Sequence, residues 1–206
     1  MNLRRRDLLK GTSALALAAP LGARTQDKKA EPYGDREAAD KWLLQWLQAP
    51  GAVTGALHLG RFADRTYFTT KEIGWSPSGK QKSLPSVTVP AGFVTDLASI
   101  PRVFWSILPP DGRYTFPAIV HDYLYWTRTL KDREDADLVL KYGMEDMSVR
   151  ALTVTAIHQA VRLGGGGPWD GNAALRKGGE KRLLVKYPDD PKTTWAEHKK
   201  RPGVLR

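Results

Sequence analysis

The chain reads Gly92-Phe-Val-Thr-Asp96-Leu-Ala-Ser99-Ile-Pro101-Arg102 and then His121-Asp122-Tyr123-Leu-Tyr125, both within the segment Val89 to Leu140. These two stretches place Asp, Ser, Arg, His and Tyr among apolar residues. A polar side chain buried in apolar surroundings costs free energy unless it has a partner or a chemical task. The segment is therefore the predicted location of the functional site.

Two amphipathic helices are predicted around the second stretch. Apolar residues recur at helical spacing from Tyr114 to Arg128, so His121 and Tyr125 share a face and Asp122 points one step around the helix. The second helix runs from Arg133 to Met147 and begins with acids, as the helix dipole favours. The acids of this first turn are Glu134, Asp135 and Asp137.

The connection between these helices, near Leu130 to Asp132, is short. Helices joined in this way normally lie antiparallel, which brings Asp135 or Asp137 beside the face of His121 and Tyr125. A carboxylate beside an imidazole is the minimum equipment for general-base chemistry. The sequence therefore predicts a His-Asp pair with a neighbouring tyrosine.

The remaining periodicity predicts an α+β fold, with a small antiparallel sheet packed against a bundle of about three helices. Turn residues separate three stretches rich in Val, Thr, Tyr and Phe. These predicted strands are Val53–Phe62, Thr66–Ile73 and Ser86–Val94. Further helices are predicted at Arg36 to Leu47, from a Ser99 cap to Leu108, and at Ser148 to Leu163. The last carries Ala151, Val154, His158 and Val161 on one stripe, where a lone histidine is typically a hydrogen-bonded core residue.

The N-terminal residues predict an export signal. A basic head, Arg4-Arg5-Arg6-Asp7-Leu8-Leu9-Lys10, is followed by a short apolar run, and that run is followed by the small residues Gly22-Ala23. This is the layout of a secretory signal. Paired arginines before Asp-Leu-Leu-Lys resemble a twin-arginine signal, which implies export by that machinery and a periplasmic or secreted protein. The apolar run is shorter than the ~20 residues that span a bilayer, so no transmembrane segment is expected after its removal. The predicted organisation is a signal at 1–23, a linker at 24–35, one α+β domain at 36–165 and a basic Gly/Pro-containing tail at 166–206.

The chain carries a net charge of +10 and no cysteine. Much of the basicity lies from Pro168 to Arg206, where ten basic residues face five acidic ones. Such a tail fits a solvated surface or contact with anionic lipid or other envelope polymers. No specific nucleic-acid partner is expected, because no recognition motif accompanies the charge. The run Gly164 to Gly167 predicts the end of a helix and a flexible hinge, because no Lys-Ser or Lys-Thr follows it as in a phosphate-binding loop.

The stretches from Val89 to Arg102, Ala118 to Tyr125 and Arg133 to Asp137 closely resemble the family called domain of unknown function 1353, found in tailed-phage genomes and in bacteria. The resemblance covers roughly Val53 to Gly165. The family has no established activity, so the resemblance implies membership without a mechanism.

A second resemblance is chemical. His-Asp-x-x-Tyr on one helix with an Asp on the next is similar to the core of secreted and parvovirus-type phospholipase A₂ domains. That resemblance implies His121 as the base, Asp122 as a calcium ligand, and Tyr125 and Asp137 as residues that orient the histidine. Asp96 or Asp111 is a further candidate metal ligand, because calcium needs about six to eight oxygen ligands.

The favoured hypothesis is an exported hydrolase of the cell envelope with a lipid ester as substrate and calcium as the candidate cofactor. Zinc or manganese held by His121, Asp122 and Asp96, with peptidoglycan as substrate, is one alternative. The other is a non-catalytic, phage-derived envelope module that binds no metal, in which Arg102 pairs with Asp96 or Asp122. Ser99, Arg102 and Asp135 are supporting residues in each case. Ser99 is read as a helix cap, since it lacks the Gly-x-Ser-x-Gly elbow of a nucleophile.

Overall fold

The computed structural model describes residues 53–81, 83–97 and 112–206. The predicted signal, linker and first helix, together with the predicted helix from Ser99 to Leu108, lie outside these residues. Among the described residues, no helix has the length and apolar character needed to span a bilayer.

Within the described residues, six short strands form two antiparallel sheets. The strands are β1 (Val53–Thr54), β2 (Leu59–Arg61), β3 (Tyr67–Thr69), β4 (Ile73–Trp75), β5 (Val87–Val89) and β6 (Val94–Thr95). The first sheet has the order β1-β4-β5, with Ile73 opposite Val89 and Trp75 opposite Val87. The second has the order β2-β3-β6, with Phe68 opposite Val94. The α+β class with small antiparallel sheets is thereby confirmed.

The predicted strands Val53–Phe62 and Ser86–Val94 each divide between the two sheets. Both are interrupted by a glycine with positive φ, Gly55 at 88° and Gly92 at 91°. This backbone conformation is open to glycine and strained for other residues, so it allows the chain to leave one ladder and enter the other. The predicted strand Thr66–Ile73 divides in the same way, because the chain turns between β3 and β4.

The helices are α1 (Thr115–Thr127), α2 (Arg133–Asp146), α3 (Ala151–Gly164), α4 (Gly166–Lys177) and α5 (Trp195–His198). A Cβ on Gly143 of α2 would meet Pro117 near the start of α1, whereas Asp137 nearer the start of α2 contacts Tyr125 near the end of α1. The first two helices therefore run antiparallel. On α3 the buried stripe is Val154, Ile157 and Val161, while Ala151 is exposed, so the predicted stripe is wrong at that position.

The main apolar core lies between the first sheet and α1 and α2. Its fully buried members include Trp75, Val89, Ile119 and Leu124. A second cluster joins α1, α2 and α3. The indole nitrogen of Trp75 donates a 2.8 Å hydrogen bond to Asp146 at the end of α2, so this buried polar group is satisfied.

Residues 166–206 contain α4 and α5, and the segment after α4 packs on the second sheet. Leu183 forms a bridge with Phe93, and the Leu184 N–H donates to the Gly92 carbonyl at 2.8 Å. A Cβ on Gly92 would overlap the Leu184 carbonyl, so glycine is required there for this close approach as well as for its φ. The sheet edge is thereby covered by the end of the chain.

Candidate active site

Asp137 is the centre of a buried polar cluster between α1 and α2. Its Oδ1 lies 3.0 Å from His121 Nε2 and accepts a 2.6 Å hydrogen bond from the Tyr125 hydroxyl. Its Oδ2 accepts a 2.9 Å hydrogen bond from Arg133 Nη1. His121 and Tyr125 are one helical turn apart, and the antiparallel α2 places Asp137 against both.

The surroundings of Asp137 favour its ionised form. Burial acts to raise the pKa of this carboxyl, but the hydrogen bonds from His121 and Tyr125 and the charge of Arg133 outweigh burial and lower it. Burial and the neighbouring carboxylate raise the pKa of Tyr125 well above its usual range, so this hydroxyl stays protonated and remains a donor. Since a carboxylate only accepts, His121 Nε2 is assigned as N–H, which leaves the lone pair on Nδ1.

Arg133 connects the cluster to α3. Its Nη1 donates to the Val161 carbonyl at 3.1 Å and its Nη2 to the Arg162 carbonyl at 3.2 Å, in addition to the ion pair with Asp137. These carbonyls belong to the last turn of α3, and the Val161 carbonyl also accepts a 2.7 Å hydrogen bond from the Gly165 N–H. Arg133 thus fixes α3 relative to the His-Asp pair.

Asp122 is tied to the second sheet. Its Oδ2 accepts a hydrogen bond from Thr95 Oγ1, and the same Thr95 oxygen accepts one from the Leu97 N–H at 3.0 Å. Leu97 adopts a positive φ of 54°, an uncommon conformation for a branched side chain. The end of β6 is therefore held against α1 immediately next to Asp96.

A cavity of about 400 Å³ opens beside this cluster. Its volume falls in the range typical of small-molecule sites. The walls combine polar side chains with α3, α4 and their junction; the lining residues are Asp96, His121, Asp122, Tyr125, Ala160, Val161, Gly164, Gly165, Pro168, Asn172 and Arg182. His121 is nearly fully buried, with 1% of its surface exposed. Because it lines this cavity, a substrate bound in the cavity would contact it there.

Gly165 allows the junction of α3 and α4 to lie directly on the cluster. A Cβ at this position would overlap the Tyr125 hydroxyl and the Val161 carbonyl and would crowd Arg133. The predicted end of α3 in the glycine run is observed at Gly164. The predicted hinge is instead a direct junction, since α4 begins at Gly166 and its Trp169 is buried.

The structure brings together three of the residues singled out from the sequence, His121, Tyr125 and Asp137. Asp122 and Asp96 line the same cavity, whereas Asp135 has no hydrogen bond with the cluster in the part of the chain that is described. Ser99 and Arg102 lie outside the described residues. Within residues 53–81, 83–97 and 112–206, no group of three or more His, Asp or Glu side chains is arranged to hold a metal ion.

Sequence reasoning missed Arg133, Thr95, Gly165 and Arg182. Arg133 carried a usable signal, because it precedes Asp137 by four residues on one helix. The other three reach the site through tertiary contacts that no local spacing reveals. His158 also differs from expectation: its Nε2 has no hydrogen-bond partner among the described residues, and burial and Lys141 lower the pKa of this imidazole.

Comparison with known proteins supports the resemblance seen in the sequence. Residues 77–161 match the family model "Protein of unknown function (DUF1353)". The match includes β5, β6, α1, α2 and most of α3, and therefore the whole Asp137 cluster. An "Uncharacterized protein y4jT" from Sinorhizobium fredii is 36% identical over 75 residues, which is 35% of this chain. The matched part spans only 22% of that relative's length. No solved structure matches the chain.

Proposed function

We propose that the protein is a hydrolase in which His121 acts as the general base, and that its substrate is a carboxylic ester of a cell-envelope lipid. The observation that carries the proposal is the 3.0 Å contact between His121 Nε2 and the buried Asp137 carboxylate, on the wall of a cavity. A base oriented by a third group is the arrangement that general-base catalysis requires.

The chemistry follows from the tautomer of His121. Asp137 accepts a hydrogen bond from the Nε2–H group, so Nδ1 is the atom that takes a proton from water while the water oxygen attacks the ester carbonyl carbon. Asp137 stabilises the imidazolium that forms, since its pKa is lowered and it stays ionised. The tetrahedral intermediate then loses the alkoxide, which takes the proton from Nδ1 and leaves as an alcohol beside the carboxylic acid. Tyr125 and Arg133 are positioning residues, because they bind Asp137 and hold it in place.

The described residues do not assemble a cation site. Asp96 and Asp122 bring two carboxylates to the cavity, and Asp122 Oδ2 already accepts a hydrogen bond from Thr95. Calcium takes about six to eight oxygen ligands, so this set is too small on its own. No step of the proposed mechanism is therefore assigned to a cation, and calcium, zinc and manganese enter as separate assay conditions.

The envelope location in this proposal rests on the basic and apolar N-terminal residues, as in the sequence prediction. An exported protein meets membrane lipid and peptidoglycan as its abundant substrates. Apolar and small side chains of the cavity wall, Ala160, Val161 and Pro168, suit an acyl chain better than a sugar.

The test compares wild type with His121→Gln and with a matched control, His58→Gln, whose histidine is exposed and is not among the residues that line the cavity. Release of fatty acid from phosphatidylglycerol vesicles and from a soluble short-chain ester is measured with EDTA, calcium, zinc or manganese. We expect His121→Gln to lose at least about 100-fold in rate, the contribution typical of a general base, and His58→Gln to match wild type. Equal background rates for all three proteins under every condition contradict the proposal.

A non-catalytic module is the second candidate, and one observation favours it. The same polar contacts join β6, α1, α2 and α3 through Thr95, Asp122, Asp137 and Arg133. On this alternative Asp122→Asn and His121→Gln lower stability and no substrate is turned over. A catalytically active wild type whose His121→Gln variant melts normally contradicts this alternative.

A further inference from the structure

Arg182 adds a positive charge to the cavity from a distant part of the sequence. Its main chain is fixed against β6, because its carbonyl accepts a 2.8 Å hydrogen bond from the Val94 N–H. Its side chain is partly buried and lines the cavity together with His121 and Asp122. The wall that carries the proposed base therefore also carries a guanidinium.

The guanidinium is held in a defined orientation. Its central carbon lies 4.7 Å from the centre of the buried Trp126 ring. A guanidinium above a ring is attracted through its face, and its N–H donors point outward in the plane of the group. Contact with Trp126 therefore reduces the conformational freedom that the Arg182 side chain loses on binding.

Two carboxylates are among the described residues that line the cavity together with Arg182. These carboxylates are Asp96 and Asp122, and both have interaction partners within the chain. Arg182, in contrast, lies within ion-pair distance of no carboxylate in the described part of the chain. A planar guanidinium without an anionic partner, beside a cavity, is typical of phosphate or carboxylate recognition.

The surface beyond Arg182 is also basic. A neighbouring cavity of about 270 Å³ shares Arg182 and is lined by Arg176, Lys181 and Arg206. Glu180, the acid among the described residues of this lining, forms a 3.3 Å ion pair with a lysine outside that cavity. The potential on this side of the site is therefore positive and draws anions toward it.

We propose that Arg182 binds a phosphate group of the substrate, with the Asn172 amide as a neighbouring hydrogen-bond donor on the same wall. This inference rests on the proposed function and names its substrate class, an ester that carries a phosphate close to the scissile bond. A glycerophospholipid has this layout. The fork of Arg182 then orients the ester carbonyl relative to His121, which is positioning by a remote part of the substrate.

Binding is measured first, by calorimetry on the His121→Gln protein so that turnover does not interfere. The probes are dihexanoyl phosphatidylglycerol, the neutral dihexanoylglycerol, and inorganic phosphate. We expect the phospholipid to bind, the neutral lipid to bind at least about tenfold more weakly, and Arg182→Gln added to His121→Gln to remove this difference. If inorganic phosphate competes with the phospholipid, the phosphate itself is the bound group. If inorganic phosphate does not weaken phospholipid binding, the rest of the headgroup is recognised and the inference is overturned.

Two variants sharpen the comparison. Arg206→Gln removes a charge from the neighbouring basic cavity without touching the candidate site, so its affinity should fall much less than that of Arg182→Gln. Arg182→Lys keeps the charge but loses the planar fork, so it should lie between the parent and Arg182→Gln. Equal losses in Arg206→Gln and Arg182→Gln indicate a diffuse charge effect and overturn the inference. If His121→Gln does not fold, the same variants are compared in the wild-type background with inorganic phosphate as the probe, because inorganic phosphate cannot be turned over.

The two proposals fail separately. Binding of phosphate that depends on Arg182, in a protein that hydrolyses no ester, supports the phosphate site at Arg182 and overturns the hydrolase. Hydrolysis of the neutral and the phosphate-bearing ester at equal kcat/KM, unaffected by Arg182→Gln, supports the hydrolase and overturns this inference.

Discussion

Asp137→Asn is the substitution that tests the cluster most directly, because it changes one oxygen for a nitrogen and removes one charge. The wild-type carboxylate is fully buried and accepts from His121, Tyr125 and Arg133. The asparagine amide must turn its NH₂ either toward Arg133 or toward the other two donors. Two donors then face each other in a site without solvent, and Arg133 loses its buried counter-ion.

The expected loss of stability can be worked from these contacts. Removing one partner of a buried ion pair costs about 3–5 kcal/mol. The lower end applies, because the Arg133 side chain is 17% exposed and keeps two carbonyl acceptors on α3. About 3 kcal/mol corresponds to a melting temperature lower by about 6–12 °C for a domain of this size. Thermal and urea denaturation at pH 7 measure both quantities.

The pH dependence separates this explanation from a general packing defect. The pKa of Asp137 is lowered in the folded protein below its unfolded value of 3.8. Its contribution to stability is thus complete above that value and disappears as the pH falls through the lower, folded value. The difference between wild type and Asp137→Asn should shrink below about pH 4. A difference that stays constant from pH 7 to pH 3 refutes the assignment of Asp137 as an ionised, paired carboxylate.

Three further substitutions have defined outcomes. Gly165→Ala should lower the free energy of unfolding by about 1–3 kcal/mol, because its Cβ overpacks against the Tyr125 hydroxyl. The adjacent Gly164→Ala, whose Cβ meets nothing, should be neutral or stabilising in chemical denaturation; equal free energies for the two variants contradict the close approach. The folded pKa of Tyr125 is raised, so wild type should lose stability as the pH rises above about 10. Tyr125→Phe has no hydroxyl to ionise and should not show this loss; identical alkaline stability profiles of the two proteins contradict this. Thr95→Val should lower stability by about 1–3 kcal/mol, since it removes a donor from the buried Asp122, and an unchanged urea midpoint contradicts that contact.

The helical pair and the face of His121 and Tyr125 were predictable because they depend on local spacing alone. A connection of a few residues leaves an antiparallel arrangement as the economical solution. The choice between Asp135 and Asp137 was not predictable. The two residues differ by about 200° around α2, and only the packing of its apolar stripe fixes which of them faces α1.

The division of the predicted strands was hidden for a different reason. Alternation of apolar residues continues across Gly55 and Gly92, although the chain changes sheets there. Alternation reports which face of a strand is buried, whereas the partner strand is set by tertiary contacts. Glycine is required at position 92 because the backbone there approaches Leu184, which lies more than ninety residues away in the sequence. No local pattern contains that information.

The junction of α3 and α4 couples the shape of the cavity to the position of the proposed base. Gly164 and Gly165 form part of the cavity wall, and Arg133 holds the last turn of α3 while it pairs with Asp137. A displacement of the wall therefore moves Arg133, and with it the carboxylate that orients His121. Gly165→Ala should accordingly change the rate of ester hydrolysis as well as stability, although residue 165 carries no catalytic group. Gly164→Ala leaves the contact of residue 165 with Tyr125 and Arg133 intact. A rate of ester hydrolysis that falls in Gly165→Ala alone therefore indicates the coupling, and equal rates in the two variants show that the cavity wall and the base are independent.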